Sequence, residues 1–405
     1  MSDTTRWFAG LAVSADLRWA EAAVVQIHGR GEELQLAQWA TRADALPAGP
    51  RPGSRVWPTG MELAQFRELA NVWTQHLLRL LRQAMDEIGA SWHEVICVGL
   101  LEPWWVWASL SEGGFGFAWP LAPWLAEFTG WSVAHGFAWR DVAAGGHTRD
   151  VTAAADWLLF RSEQEPRLVI HLGEEVLLHY LTPCANWLTI RGVTVMPSLA
   201  ALDRLTAMLM GRPDASDRSG HLAVQGRLIP DLLARWSVHP SLLSQQLRPP
   251  TPLLLDTSWA RATCDLAEQR RWQPLDVLCT TCHWLAQNLA GAFAHLQLSD
   301  KTVRIIVSGL GCRNGFLWQL LQDKLRPNPI HRSDDFGVTA EACQAVRAAL
   351  LAALLLDQVP ASVPQASGCS GVRLLGQWTP GSLSNWSRCL HWMTTGRELA
   401  IWEEG

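Results

Sequence analysis

The sequence predicts a mixed α/β fold built from two units, each opening with a β-meander and continuing into helices and further strands. Three observations carry this expectation. Trp7 to Trp39 reads as strand, turn, strand, turn, strand, and a second β-rich stretch runs from Arg167 to Ile190. After each opening come long segments with apolar residues at helical spacing. Short apolar runs such as Val303 to Val307, rich in β-branched residues, then supply strands beyond the meanders.

In the first unit, Ala20 to Ile27 reads as a strand that enters a turn at His28-Gly29-Arg30-Gly31. Pro-Gly punctuation from Pro47 to Pro58 marks a loop. Met61 to Ala90 predicts a long amphipathic helix, with Leu63, Phe66, Leu69, Val72, Leu77 and Leu81 among its apolar positions. Glu94 to Leu100 predicts a strand, Leu121 to Gly130 a helix closed by its glycine, and Trp131 to Ala134 another strand. Arg140 to Gly146 reads as a polar loop containing glycine.

In the second unit, strands are predicted at Arg167 to Leu172, Val176 to Leu181 and Trp187 to Ile190, followed by helices at Leu199 to Met210 and Leu222 to Trp236. A Pro-rich break from Pro240 to Pro252 precedes a helix from Leu275 to Leu296, where Leu278, Cys282, Leu285, Leu289 and Phe293 advance by three or four. Val303 to Val307 opens directly into Ser308-Gly309-Leu310-Gly311. Thr339 to Leu356 is a long Ala/Leu helix, and Ser382 to Gly405 predicts an appended helix. No internal sequence repeat is visible.

Composition narrows the function classes. The 405 residues are 48% apolar and 18% charged with a net charge of -5, which excludes a disordered chain and lacks the basic footprint of a nucleic-acid binder. The longest uninterrupted apolar run, Ala348 to Leu356, is too short to span a bilayer, so no membrane partner is expected. Lys occurs only at Lys301 and Lys324, leaving almost no candidate for Schiff-base or Walker-type lysine chemistry. The 24 Trp against one Tyr are spread along the chain, which fits a GC-rich coding bias better than an aromatic platform for sugars or cations.

The nine Cys are odd in number and lack the spacing of a disulfide scaffold, so reduced thiols in a cytoplasm are expected. Cys279-Thr-Thr-Cys282-His283 matches the attachment motif of c-type haem. Such attachment needs export, yet Met1 to Arg6 carries both Asp3 and Arg6, and the apolar stretch from Trp7 to Val13 is short for a signal peptide. Both cysteines fall on or near the apolar face of a helix, which predicts core packing and no haem. Zinc is not expected either, because no second Cys/His pair lies at ligand spacing.

Several segments in register resemble the anhydro-N-acetylmuramic acid kinases, sugar kinases of the actin/hexokinase-like fold that act in peptidoglycan recycling. Trp139 to Phe160 (WRDVAAGGHTRDVTAAADWLLF) is similar to that family's F-R-x-x-D-x-A-x-G-G-Q-G-A-P-L-x-P segment and the apolar residues beyond it. Ile306 to Asn314 (IVSGLGCRN) resembles its S-G-G-G-x-x-N nucleotide loop, and Phe336 to Leu354 its G-I-P-x-x-x-x-E-A-x-A-F-A-x-L-A. Ser367-Gly368-Cys369, Leu374-Leu375-Gly376 and Pro380-Gly381 fit its T-G-A and L-G-x-x-x-P-G. Order and spacing agree from about residue 8 to 381. The resemblance implies a two-domain actin/hexokinase-like (ribonuclease H-like) fold, with domain I at 1–165, domain II at 166–340 and C-terminal helices at 341–405 returning to domain I.

The departures carry the functional argument. Where the family has G-L-M-S-G-T-S-x-D-G-x-D, this chain reads Gly10-Leu11-Ala12-Val13-Ser14-Ala15-Asp16-Leu17-Arg18-Trp19-Ala20-Glu21. The tight-turn glycine is Ser14, the flexible glycine is Trp19, and Arg18 stands at the metal-side acid, where it can meet a phosphate but cannot ligate a cation. A shift of two residues would bring Asp16 to that position instead. The N-I-G-G segment reads His171-Leu172-Gly173-Glu174, and a carboxylate there repels a triphosphate. D-T-G-P-G-N becomes Thr194-Val195-Met196-Pro197-Ser198-Leu199, H-G-Q-T becomes Leu101-Glu102-Pro103-Trp104, the substrate-side F-R becomes Phe137-Ala138, and the Glu beside the adenine becomes Gln344.

By resemblance, Asp141 is the candidate general base for the sugar hydroxyl. Gly10, Ser14, Asp16, Gly173, Ser308, Gly309, Gly311 and Asn314 are the candidate nucleotide-binding residues, and no metal ligand is named. The same resemblance implies ATP and Mg²⁺ if the chain is active, an amino sugar or a nucleotide as small-molecule partner, and a homodimer. Losing the phosphate, metal and sugar motifs together predicts a catalytically impaired binding or regulatory homologue. The alternative is a divergent active ATP-dependent amino-sugar kinase with Asp141 as base.

Overall fold

The computed structural model of the chain describes residues 5–14, 17–47, 63–107, 115–118, 120–146, 150–195, 199–212, 214–237, 252–296 and 302–395. In the first half, β1 (Arg6–Val13), β2 (Trp19–His28) and β3 (Gln35–Ala45) form an antiparallel meander. Helix α1 (Leu63–Ile88) leads to β4 (Val95–Leu101), parallel to β1. The hairpin β5 (Trp104–Trp107) and β6 (Phe115–Ala118) is a separate two-stranded sheet. Then follow α2 (Leu121–Thr129), β7 (Ser132–His135) parallel to β4, α3 (Phe137–Ala143) and α4 (Ala153–Phe160).

The second half repeats this plan without repeating the sequence. An antiparallel meander of β8 (Arg167–Leu172), β9 (Val176–Leu181) and β10 (Arg191–Val195) precedes α5 (Leu199–Leu209), α6 (Pro230–Ser237), α7 (Pro252–Arg270) and α8 (Pro274–Leu296). Strand β11 (Arg304–Ser308) then pairs parallel to β8, and after α9 (Gly315–Lys324) β12 (Ile330–Arg332) pairs parallel to β11. The chain closes with α10 (Cys343–Leu356), α11 (Pro364–Ser367), β13 (Gln377–Thr379) and α12 (Leu383–Thr394). The sheet orders are β13-β7-β4-β1-β2-β3 and β10-β9-β8-β11-β12. A meander extended by crossover strands, built twice, is the actin/hexokinase-like plan.

Burial explains the layering. On β1 the residues alternate: Ala9, Leu11 and Val13 pack with Trp73, Leu77 and Leu81 of α1, while Phe8 packs with α10 on the other face. Helix α10 is apolar nearly all round (Ala345, Val346 and Ala348 to Leu356 are all buried), as expected for a helix covered on every side. It shares one core with Phe8 and Val25 of the first sheet and Val169 and Ile306 of the second. The helix approaches the first sheet so closely that a Cβ on the cross-strand partners Gly10 and Gly99 would lie 1.9 Å from the carbonyl oxygens of Ala345 and Ala348. Only glycine permits that spacing.

Three local expectations are corrected. Arg140 to Gly146 is not all loop, because Arg140 to Ala143 complete α3, whose start is set by left-handed Gly136 (φ 63°). Trp187 to Ile190 is not a strand; Trp187–Thr189 is a 3-10 turn held by the Asn186 side chain, which accepts from the Leu188 amide, and pairing begins at Arg191. Leu222 to Trp236 is not one helix, since only a 3-10 turn at Ala223–Gln225 precedes α6. Helices α4, α7 and α9 had no counterpart among the expected elements. The loop predicted from Pro47 to Pro58 and the break from Pro240 to Pro252 fall almost wholly outside the described residues. The helix predicted from Ser382 to Gly405 is described only as α12; beyond Thr395 it also lies outside them. No helix among the described residues is long and apolar enough to cross a membrane.

Candidate functional site

The β1–β2 turn, strand β8 with the turn after it, the loop after β11 and the start of α10 converge, linked by the Trp19–Glu341, His171–Gln344 and Gly309–Ala340 contacts. In the first turn, the Ser14 hydroxyl oxygen accepts from the amides of Arg18 at 3.1 Å and Trp19 at 2.9 Å. The Leu17 amide donates to the Ser14 carbonyl at 2.9 Å, and the Ser14 amide to the Trp19 carbonyl at 3.0 Å. These are the donors that an open phosphate loop would present to an anion, and here the chain itself takes them. Asp16 lies outside the described residues. Gly10 is four residues before Ser14, beneath α10.

The other two loops are closed in the same way. The Gly173 amide donates to the Glu175 carbonyl at 3.1 Å, and the Gly309 amide to the Ala340 carbonyl at 2.8 Å. Gly309 sits at φ 88° against the Leu172 carbonyl, a conformation that favours glycine. Gly311 is buried against the side chains of Leu172 and Leu199. Asn314 is 2% exposed; its Oδ1 accepts from the Leu317 amide at 2.9 Å and caps α9, while its Nδ2 donates to the Asp217 carbonyl at 3.0 Å.

Beneath these segments lies a buried polar network. Arg347, the lone charge of α10, is fully buried, and its guanidinium meets Asp156 Oδ1 of α4 at 2.6 Å. Its Nη1 donates to His171 Nδ1 at 3.1 Å and its Nη2 to Ser308 Oγ at 3.2 Å. Asp156 Oδ2 also accepts from His179 Nδ1 at 2.7 Å. Burial first, and then the Arg347 charge, hold the His171 pKa down to about 3, so the ring is neutral. With Nδ1 turned to Arg347, its proton sits on Nε2, 3.0 Å from the Gln344 side-chain nitrogen, so the Gln344 amide accepts that proton only when turned over to present Oε1. Burial works against ionisation of Asp156, yet Arg347 and His179 outweigh it and keep its pKa below the ordinary value.

Two further groups meet residues 341–345. Glu21 Oε2 accepts from the amides of Gln344 at 2.9 Å and Ala345 at 3.2 Å, and so covers the N-terminus of α10. Burial pushes its carboxyl up to about 8, against the pull of those amides and of Arg347. The Trp19 indole donates to the Glu341 carbonyl at 3.4 Å and carries the Arg218 guanidinium over its ring at 5.7 Å. In the register expected from the sequence, Trp19 stands where the resembled motif has a glycine.

Asp141, on α3, is 1% exposed, and its Oδ1 accepts from the Ser367 hydroxyl at 2.7 Å. A Cβ on Gly146 would lie 2.2 Å from Asp141 Oδ2, so the glycine turn closes directly over the carboxylate. Nearby, Glu102 accepts from the Gly136 amide at the start of α3 at 3.0 Å. The haem-like cysteines Cys279 and Cys282 are buried on α8, and burial raises both thiols. Among the described residues, no three His, Cys, Asp or Glu side chains are grouped to hold a metal ion.

Sequence reasoning singled out His171, Trp19 and Gln344 but passed over Arg347 and Asp156. The signal was present, because each is the single charge in an apolar helix, AVRAALLAALLL and AAADWLLF. A lone charge in such a run must be paired once buried. In the motif register set by Gln344 and Ala345, Arg347 falls where the resembled pattern has its second small alanine.

A family profile described as anhydro-N-acetylmuramic acid kinase matches residues 57–381. An anhydro-N-acetylmuramic acid kinase of Gloeobacter violaceus is 27% identical over 386 residues, covering 92% of this chain and 98% of its own. The one of Bordetella parapertussis is 28% identical over 382 residues, covering 93% and 96%. Among solved structures, the activator of the 2-hydroxyisocaproyl-CoA dehydratase from Clostridium difficile, with bound ADPNP, aligns at a TM-score of 0.44 and 10% identity over 86% of this chain and 94% of that one.

Proposed function

Because the chain belongs to the anhydro-N-acetylmuramic acid kinase family of sugar kinases, we propose that it retains the family's two-domain cleft as a binding or regulatory module whose phosphoryl transfer is impaired. The observation that carries this reading is that the amides of Arg18, Trp19, Gly173 and Gly309 already donate within the chain. Phosphoryl transfer rests on positioning and on neutralising phosphate charge, so a cleft whose donors are spent supplies little of either. Arg347 is fully buried beneath these loops, and Asp156 balances its charge.

The residues present do not fit a magnesium triphosphate. Arg18 replaces the metal-side acid, Glu174 adds a carboxylate to the second turn, and no metal-holding group stands among the described residues. No catalytic step is therefore derived through that group. The ligand class that family membership supports is an amino sugar related to 1,6-anhydro-N-acetylmuramic acid, and the process it supports is peptidoglycan recycling.

A second reading, an active amino-sugar kinase with Asp141 as general base, is favoured by one observation. Asp141 persists, and the Ser367 hydroxyl donates to its Oδ1 at 2.7 Å and helps to orient the carboxylate. A phosphotransfer assay with Mg-ATP and 1,6-anhydro-N-acetylmuramic acid separates the two. The impaired reading expects no turnover from folded wild-type protein. Turnover that Asp141→Asn abolishes without unfolding the chain establishes the second reading instead.

A further inference from the structure

Helices α1 and α2 pack against each other on the first sheet, where Leu69 and Trp73 of α1 share one buried core with Leu121 and Leu125 of α2. Their outward edges leave a groove of about 550 Å³, lined by Ala64, Arg67, Glu68 and Asn71 of α1 and by Trp124 and Phe128 of α2. Helical spacing brings these residues together: 64, 67, 68 and 71 advance by three or four along one face of α1, and 124 and 128 along one face of α2. The groove joins two kinds of surface. Trp124 is half-buried and packed on the core, while Phe128 is 45% exposed, so two aromatic rings one turn apart reach the same space. On the facing helix, the side chains of Arg67, Glu68 and Asn71 are exposed and make no hydrogen bond or ion pair among the described residues.

We propose that the α1–α2 groove binds an uncharged pyranose, with the C–H face of the ring on Trp124 and Phe128 and its hydroxyls bonded to Arg67, Glu68 and Asn71. The chemistry of the lining selects this ligand. Arg67 donates, Glu68 accepts and Asn71 does both, which suits hydroxyls that each donate and accept. The charges of Arg67 and Glu68 cancel, so the lining favours neither an anion nor a cation. A wholly apolar ligand would take water from three polar groups and return no hydrogen bond. A second copy of the chain needs about 800 Å² on each side, far more than this groove offers. Its volume is that of a small-ligand site. Helix α1 packs on the face of the first sheet opposite α10, so the groove is distinct from the loops around Ser14, Gly173 and Gly309. The proposal therefore holds whether or not phosphoryl transfer is impaired.

The test is a ligand-observed NMR titration of the full chain with methyl β-D-glucopyranoside, whose equatorial hydroxyls leave both ring faces apolar. D-glucitol, an open-chain polyol without such a face, is the control. A few contacts on a preformed surface predict a dissociation constant of about 1–10 mM for the glucoside and no measurable binding of glucitol. Phe128→Ala and Asn71→Ala, both at exposed positions, should each weaken the glucoside by about 2- to 12-fold and leave the melting midpoint unchanged. Absent glucoside binding by the wild type, equal binding of the two polyols, or an affinity unchanged in both variants overturns the proposal. Concentration-dependent self-association that Phe128→Ala abolishes also overturns it, because the groove then belongs to a second copy.

Discussion

Arg347→Met is the most direct probe of the buried polar network. The substitution keeps a long side chain within α10 but removes the guanidinium, and with it the contacts to Asp156, His171 and Ser308. Asp156, 1% exposed, is then left with His179 alone. Removing one partner of a buried ion pair costs about 3–5 kcal/mol, because the remaining charge stays out of water without its counter-ion. At about 2.1 cal/mol/K per residue, the unfolding entropy of this 405-residue chain is about 0.85 kcal/mol/K, so a loss of about 4 kcal/mol lowers the midpoint by about 5 °C. Calorimetry on the single variant and on Arg347→Met/Asp156→Asn measures both the loss and its origin. The Asn carbonyl still accepts from His179 but carries no charge, so the double variant should recover most of the loss. A single-variant cost below about 1 kcal/mol, or a double variant no more stable than the single, would refute the argument that a buried charge pair holds the network.

Other expected outcomes follow from neighbouring groups. Gly99→Ala drives a Cβ to 1.9 Å from the Ala348 carbonyl oxygen, so it should cost about 3 kcal/mol or more and lower the soluble yield and melting midpoint. Ser14→Ala removes the acceptor for the Arg18 and Trp19 amides; about 1–2 kcal/mol should be lost in denaturant titration, with faster exchange at those two amides. His171 is neutral in the fold, with its pKa lowered from 6.5 to about 3. As pH falls from 6.5 toward 3 the unfolded chain therefore takes up a proton that the fold refuses, and stability is lost; His171→Asn should flatten that acid limb of the midpoint-against-pH curve. Glu21 has the opposite sign, since its pKa is raised from 4.5 to about 8 and its contribution is lost as pH rises through that window. Glu21→Gln should accordingly gain on the wild type between those values, and equal pH profiles would contradict it.

Much of the fold was legible because local rules agreed with it. The first meander, the first two strands of the second, the helix α1, the glycine stop at Gly130 and the β-branched run entering Ser308-Gly309 all reappear as elements. Expectations failed where a tertiary contact overrode local pattern. Trp187 reads as a strand residue, but it is buried in a turn that edges Trp157. Gly226 ends the short turn after Leu222 in an extended conformation, and the carbonyl of Leu275 passes 2.0 Å from where its Cβ would stand. Neither contact can be read from residues near in sequence.

For the site, the sequence by itself supplied expectations, all of them by resemblance: Asp141 as the general base, Arg18 or, in a register shifted by two, Asp16 at the metal-side acid, Glu174 in the second turn and Trp19 for a flexible glycine. Only the tertiary structure decided which buried polar groups meet beneath those segments. Arg347 and Asp156 lie 191 residues apart in the chain and meet at 2.6 Å, and His171 and Ser308 join them from two strands of the second sheet. A charge in an apolar helix demands a partner wherever it is buried, but the choice of partner depends on which distant elements the fold brings within about 3 Å, and no local rule encodes that.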